Sequence, residues 1–240
     1  MTTSGSTTFN LNLTEIVEEA FERVGPELRS GYDLRTARRS LNLLLIEWQN
    51  RGLNMWTIED GEVELTSGTA TYDLPIDTID LLDFVIRTGS ATTQVDANIN
   101  RIGVSKYAKI PNKNTTGKPN QVYINRKSGA TNFGGTIQYP TITVYPVPDS
   151  DDYTFVYWRM RRIQDAGKGI ETQDLPFRFL PVITSGLAYQ LALKTPELMP
   201  RIQMLKAEYE QQFDLAASED REKAAVRFVP RQQFLGSGSL

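Results

Sequence analysis

A chain of 240 residues has the length for one or two compact units, and with 40% hydrophobic and 10% aromatic residues it can build a core without covalent staples. It contains no cysteine and no histidine. That excludes disulfides, thiolate catalysis, cysteine metal sites, serine triads, histidine-based zinc hydrolases and histidine phosphotransfer. A formal net charge of −3 argues against a binder driven by phosphate neutralisation.

The amino terminus, Met1-Thr-Thr-Ser-Gly-Ser-Thr-Thr, has neither the basic nor the apolar region of a signal peptide, and no run approaches the length of a membrane span. Residues 1–10 read as a flexible polar arm. Leu13, Ile16, Val17, Ala20, Phe21 and Val24 then fall on one helical face. Asn12 with Glu15 fits a capping box, and Gly25-Pro26 supplies the stop. Glu15, Glu18, Glu19, Glu22 and Arg23 take the remaining surface.

A second helix is expected from about Asp33, as N-cap, to Arg51, closed by Gly52. Leu34, Ala37, Leu41, Leu44, Leu45 and Trp48 form its apolar stripe, while Leu43 and Ile46 lie off it. A helix apolar on two faces is covered on two sides, by more helices or by a neighbouring subunit. Arg35, Arg38 and Arg39 form a basic cluster in its first half.

From Met55 to about Ile163 the pattern changes to strands and turns. Thr57–Leu65 alternates around Asp60-Gly61, a hairpin signal. Further strands are expected at Ala70–Leu74, Leu81–Arg87, Gln94–Ile99, Gln121–Arg126, Thr136–Tyr139, Thr141–Val147 and Tyr153–Ile163, with a helical turn between Gly103 and Ile110. Short connections between strands imply an antiparallel sheet or small sandwich.

Helix then returns. Asp174-Leu-Pro-Phe-Arg-Phe leads into Pro181–Lys194, with Leu187, Ala188 and Leu191 as its apolar repeat. Thr195-Pro196 opens a last helix with the stripe Leu198, Ile202, Leu205, Tyr209, Phe213 and Ala216, fraying through Ser218–Lys223. Neither terminal helix pair can bury its stripes alone, so the two are expected to close together. The expected class is α+β: a helical bundle from residues 11–54 and 174–225, an inserted antiparallel β domain over 55–173, and an extended tail over 226–240.

Catalytic motifs are absent: no phosphate-binding loop, nucleophile elbow or dinucleotide fingerprint. No catalytic residue, metal site or cofactor is assigned. Gly167-Lys-Gly169 reads as a flexible basic turn. Asp77, Asp80 and Asp83 read as turn caps and strand flanks, and Asp149, Asp151 and Asp152 as a solvated turn. Arg159 and Arg161 share one face of the strongest strand, with Trp158, Met160 and Arg162 on the other; this ridge could track nucleic acid or pair with acids of a neighbouring chain. Phe228, Val229, Phe234 and Leu235 lie on a terminal peptide with no core of its own, which points to a partner surface.

Several ordered runs resemble the head-to-tail adaptors of short-tailed bacteriophages, the tail tubular protein A type and their head-completion relatives. These are Leu43-Leu-Leu-Ile-Glu-Trp-Gln-Asn-Arg-Gly-Leu-Asn-Met-Trp56, Tyr72-Asp-Leu-Pro, Ile79-Asp-Leu-Leu-Asp, Val144-Tyr-Pro-Val-Pro-Asp and Val156-Tyr-Trp-Arg-Met-Arg-Arg-Ile-Gln-Asp165. Leu175-Pro-Phe-Arg-Phe-Leu-Pro, Gly186-Leu-Ala-Tyr189 and Leu205-Lys-Ala-Glu-Tyr-Glu210 continue the series. The resemblance covers roughly Leu13 to Lys223. It implies a structural virion protein of the neck, assembled in the host cytoplasm into a ring, expected to be twelvefold. The ring would bind the portal above and a tail nozzle or tail tube protein below, with genomic DNA passing through the lumen without specific binding and no membrane partner.

On that expectation Arg227, Phe228, Val229, Pro230, Arg231 and Phe234 are portal-docking candidates. Leu43, Ile46, Arg35, Arg38, Arg39, Arg159, Arg161 and Arg162 are candidates for the subunit interface. The alternative is a phage tail-associated carboxylate enzyme acting on cell-wall glycan, with Glu15, Asp77 or Asp80 as acid; these positions lie on exposed helix faces and turns, where nothing raises a pKa.

Overall fold

The computed structural model describes residues 3–25, 31–53, 55–127, 129–132 and 134–220. Two groups of helices, one from each end of the sequence, enclose one buried cluster, and two four-stranded sheets enclose another. The fold is α+β.

Helix α1 spans Leu13–Val24. Its start is the expected capping box: the Glu15 amide donates to Asn12 Oδ1 at 3.0 Å and the Asn12 amide to Glu15 Oε2 at 2.8 Å. Two further first-turn amides are taken from outside the helix, Leu13 donating to the Glu171 carbonyl and Thr14 to the Gly169 carbonyl, both at 3.1 Å. Gly25 closes it with φ 110°.

Helix α2, Gly31–Asn50, places Asp33 inside its first turn rather than at the N-cap. Its far end is a Schellman closure: Leu53 donates to the Trp48 carbonyl and Gly52 to that of Gln49, with Gly52 at φ 87°. Leu53 packs into the same core as Trp48, the apolar contact that accompanies this cap.

Eight strands follow in chain order: β1 (Ile58–Leu65), β2 (Thr71–Asp73), β3 (Thr78–Thr88), β4 (Val95–Asn98), β5 (Asn100–Ile102), β6 (Gln121–Asn125), β7 (Thr141–Tyr145) and β8 (Tyr153–Arg161). A single helical turn, α3 (Val104–Ala108), fills the expected place after β5. The sheets are ordered β1-β8-β3-β4 and β2-β7-β6-β5. All pairings are antiparallel except β5 with β6, which is parallel. Leu81, Phe84, Ile86, Phe155 and Tyr157 of the first sheet meet Val122, Ile124, Ile142 and Val144 of the second in one buried layer.

Three expectations are corrected here. Asp60-Gly61 is no hairpin: β1 runs straight through it and Gly61 pairs with Tyr157 on β8. A Cβ at Gly61 would lie 2.6 Å from Tyr157 Cζ, so the glycine accommodates an aromatic ring laid across the strand. Thr136–Tyr139 makes no strand, only a bridge of Ile137 with Thr131, because Asn132 and its glycine-rich surroundings fold that segment onto itself. β5 was not anticipated; its three residues, Asn-Arg-Ile, are too few to show alternation.

After β8 the chain enters a single 3-10 turn at Phe177–Phe179 and then α4, Leu180–Ala192, with Pro181 in its first turn as expected. Helix α5 spans Met199–Glu219. The α4 helix packs on α1, α2 and α5 alike, which explains why it is apolar nearly all round. Its buried Thr184 and Ser185 hydroxyls donate back to carbonyls of the preceding turn, so they bring no unpaired polar group inside. Gly186 lets α2 and α5 approach: a Cβ there would lie 2.8 Å from Leu44 Cδ2 and 2.9 Å from Tyr209 Cε2. Trp48, Phe179, Leu41, Leu44 and Ile183 are wholly enclosed, each contributing about 1.5–3 kcal/mol of apolar burial.

Candidate assembly surfaces

The expected stripe of α2 is the buried one: Ala37, Leu41, Leu44, Leu45 and Trp48 are inside, with Leu34 packed at its edge. At about 100° per residue the opposite side of the helix carries Arg35, Arg38, Arg39, Leu43 and Ile46 in one band. All five are exposed, with Leu43 at 62% and Ile46 at 45%. The band is basic over its first half and aliphatic over its second. Lys194, just past the C-terminal end of α4, donates to Ser40 Oγ on α2 and lies beside this basic end; burial, together with the neighbouring charge of Arg39, lowers its pKa. Arg35, Arg38 and Arg39 form no ion pair among the described residues.

The other arginine group is placed differently. Arg159 and Arg161 point to the inward side of β8, each side chain only 11% exposed. A guanidinium held away from water needs carboxylates. Arg159 donates to Asp77 Oδ1 at 2.6 Å, to Thr78 Oγ1 at 3.0 Å and to Glu59 Oε2 at 2.8 Å. Arg161 donates to Glu59 Oε1 at 2.5 Å and grips Asp174 through both terminal nitrogens. The Asp174 hydrogen bond raises the Arg161 pKa above its ordinary value against the opposing effect of burial.

Around this network the helices meet the sheets. Gln49 of α2 donates to the Arg161 carbonyl at 3.3 Å, and the Trp56 indole to the Asp174 carbonyl at 3.0 Å. These arginines are therefore engaged within their own chain, and Glu59 and Asp174, which hold them, were not singled out in the sequence. The signal was available: alternation put Arg159 and Arg161 on the same side of the strand as Tyr157, and inward-facing arginines require inward-facing acids. Arg162 is exposed and lies 3.7 Å from Asp165.

The acids considered for catalysis each have a local task. Glu15 completes the α1 cap. Asp77 holds Arg159, Asp80 accepts from Arg101 at 2.8 Å and Arg126 at 3.2 Å, and Asp83 accepts from the Phe84 amide. Asp149 accepts from the Tyr153 hydroxyl and Asp151 from the Ser67 amide. The Gly167-Lys-Gly169 turn is occupied by the chain's own carboxylate, the Lys168 and Gly169 amides donating to Glu171 Oε2 at 2.8 and 2.9 Å. No group of acids among the described residues could hold a metal ion. No helix among them is long and apolar enough to cross a membrane. The portal-docking candidates Arg227, Phe228, Val229, Pro230, Arg231 and Phe234 lie outside the described residues.

A helical core with a two-toned exposed face, joined through an ionic clamp to a β-sandwich, has the features of a structural building block. The chain belongs to the SU10 adaptor protein family, whose model matches residues 11–232, and is thus a head–tail adaptor of short-tailed phages. No match is found among curated proteins.

Proposed function

We propose that this adaptor works as a ring that joins the two sides of the neck: copies associate laterally, bind the portal above and a tail nozzle or tail tube protein below, and leave a channel for the ejected genome. The observation that carries the reading is the α2 band. Leu43 and Ile46 sit opposite a fully buried stripe, where a self-sufficient helix carries polar residues. A ring requires two different complementary surfaces on each copy, and this band is one. Twelve copies is the number the resemblance implies. The net charge of −3 suits a passage through which DNA slides without adhering.

Residues 11–54 with 174–225 act in this reading as the bundle that forms the ring, and 55–173 as the inserted β unit facing the tail; two separate buried clusters support that division. The segment from Arg227 to Phe234 docks into the portal. Assembly takes place in the host cytoplasm before the neck is completed. Light scattering of the protein alone and with purified portal tests the ring, a multi-copy complex being the expected result. Deleting the residues after Ala225 tests the docking segment, since unchanged portal affinity contradicts it.

A further inference from the structure

The exposed α2 band needs a receiving surface, and the structure offers one on α1. Glu15, Glu18, Glu19 and Glu22 line one wall of a groove of about 480 Å³ whose floor is Leu180 and Pro181 at the start of α4. An apolar hollow of about 510 Å³ adjoins it, sharing Leu180 and Pro181 and flanked by Phe9 and Phe177, which are 75% and 77% exposed. Glu15 is held by the cap and Glu19 by Arg23. Glu18 and Glu22, one turn apart, are exposed and form no ion pair among the described residues.

Like charges spaced by three or four residues destabilise a helix by a few tenths of a kcal/mol per pair. The α1 helix stacks four glutamates that way, and α2 stacks three arginines. Each arrangement is locally unfavourable and becomes favourable against the other. Within one chain no ion pair joins the α1 glutamates to the α2 arginines among the described residues.

We propose that the groove is the seat of a second copy of this chain, whose α2 band enters with Arg35 and Arg38 against Glu18 and Glu22 and with Leu43 and Ile46 over the hollow beside Phe9 and Phe177. The pattern matches in both halves, cation to anion and aliphatic to aromatic. The contact is heterologous, so it propagates from copy to copy and leaves both surfaces used. This assignment rests on the ring reading and gives it its two faces.

The test uses two full-length variants, Glu18→Lys/Glu22→Lys and Arg35→Glu/Arg38→Glu. Each alone presents like charges at every contact, and its self-association on portal or in concentrated solution should weaken about tenfold or more. Mixed in equal amounts they should assemble again, because each reversed face meets the other's. Circular dichroism verifies that both fold. Should either fail to, single cysteines at Glu22 and Arg38 on separate chains replace them, since the protein has no cysteine of its own; an Arg–Glu pair is too wide for a direct disulfide, so joining of the two chains by a bis-maleimide is expected. Rings that form equally well from either reversed variant, a mixture of folded variants that stays dissociated, or no cross-link in assembled rings would overturn the interface and leave the ring reading standing. Wild-type protein that never associates, alone or on portal, removes both.

Discussion

The indole N–H of Trp48 on α2 donates to the hydroxyl of Tyr209 on α5 at 3.0 Å, in the centre of a core where the two side chains are 0% and 2% exposed. The pair ties the amino-terminal helices to the last one across α4, and burial raises the Tyr209 pKa above its ordinary value. Tyr209→Phe leaves a buried donor unpaired and is expected to cost about 1–3 kcal/mol in urea unfolding. Gly186→Ala, which pushes a methyl group against Tyr209 and Leu44, should cost about 1–3 kcal/mol by overpacking.

The clamp between helices and sheets is expected to be sensitive at Asp174. Its side chain is 18% exposed and Arg161's 11%; removing it takes two hydrogen bonds from a guanidinium left with Glu59 as its one carboxylate, at about 1–3 kcal/mol. Asp174→Ala should therefore destabilise far more than Asp165→Ala, whose partner Arg162 is exposed at 54%. Chemical denaturation of the two variants side by side measures the difference.

Acid should loosen the amino-terminal end of α1. Its own backbone amide and those of Lys168 and Gly169 hold Glu171 below the usual carboxylate range. A depressed carboxylate stabilises the fold above its unfolded pKa, and that contribution is lost as pH falls through the depressed value. The protection of the Leu13 and Thr14 amides, which donate to the Glu171 and Gly169 carbonyls, taken relative to their intrinsic exchange, should fall over that acidic interval. In Glu171→Gln the pH dependence should vanish.

Gly61 and Tyr157 should behave as a coupled pair. Gly61→Ala alone forces the ring off the strand and is expected to cost about 1–3 kcal/mol. In the background of Tyr157→Ala the same change should cost much less, or gain through strand propensity. A double-mutant cycle by thermal unfolding reads the coupling directly.

Much of this was legible along the chain. The capping box of α1, the stop at Gly52, the stripes of α2 and α5 and the order helix, strands, helix follow from local chemistry and periodicity, and they hold. What depended on distant partners did not show. Asp60-Gly61 carries a turn dipeptide, yet pairing with β8 and the Tyr157 ring override it. Arg159 and Arg161 read as a free ridge until Glu59 and Asp174, roughly a hundred residues upstream and a dozen downstream, close on them. The glutamates of α1 read as ordinary solvated surface; only the position of Leu180 and Pro181 beside them makes a groove.

The central claim is that the outer face of α2 is used between copies. The direct measurement is the mass of complexes formed on purified portal by wild-type protein and by Leu43→Glu/Ile46→Glu. Both positions are exposed, so the variant should unfold within about 0.5 kcal/mol of wild type. The account predicts a multi-copy ring for the wild type and single or scattered copies for the variant. A variant that loads the portal as fully as the wild type would contradict it.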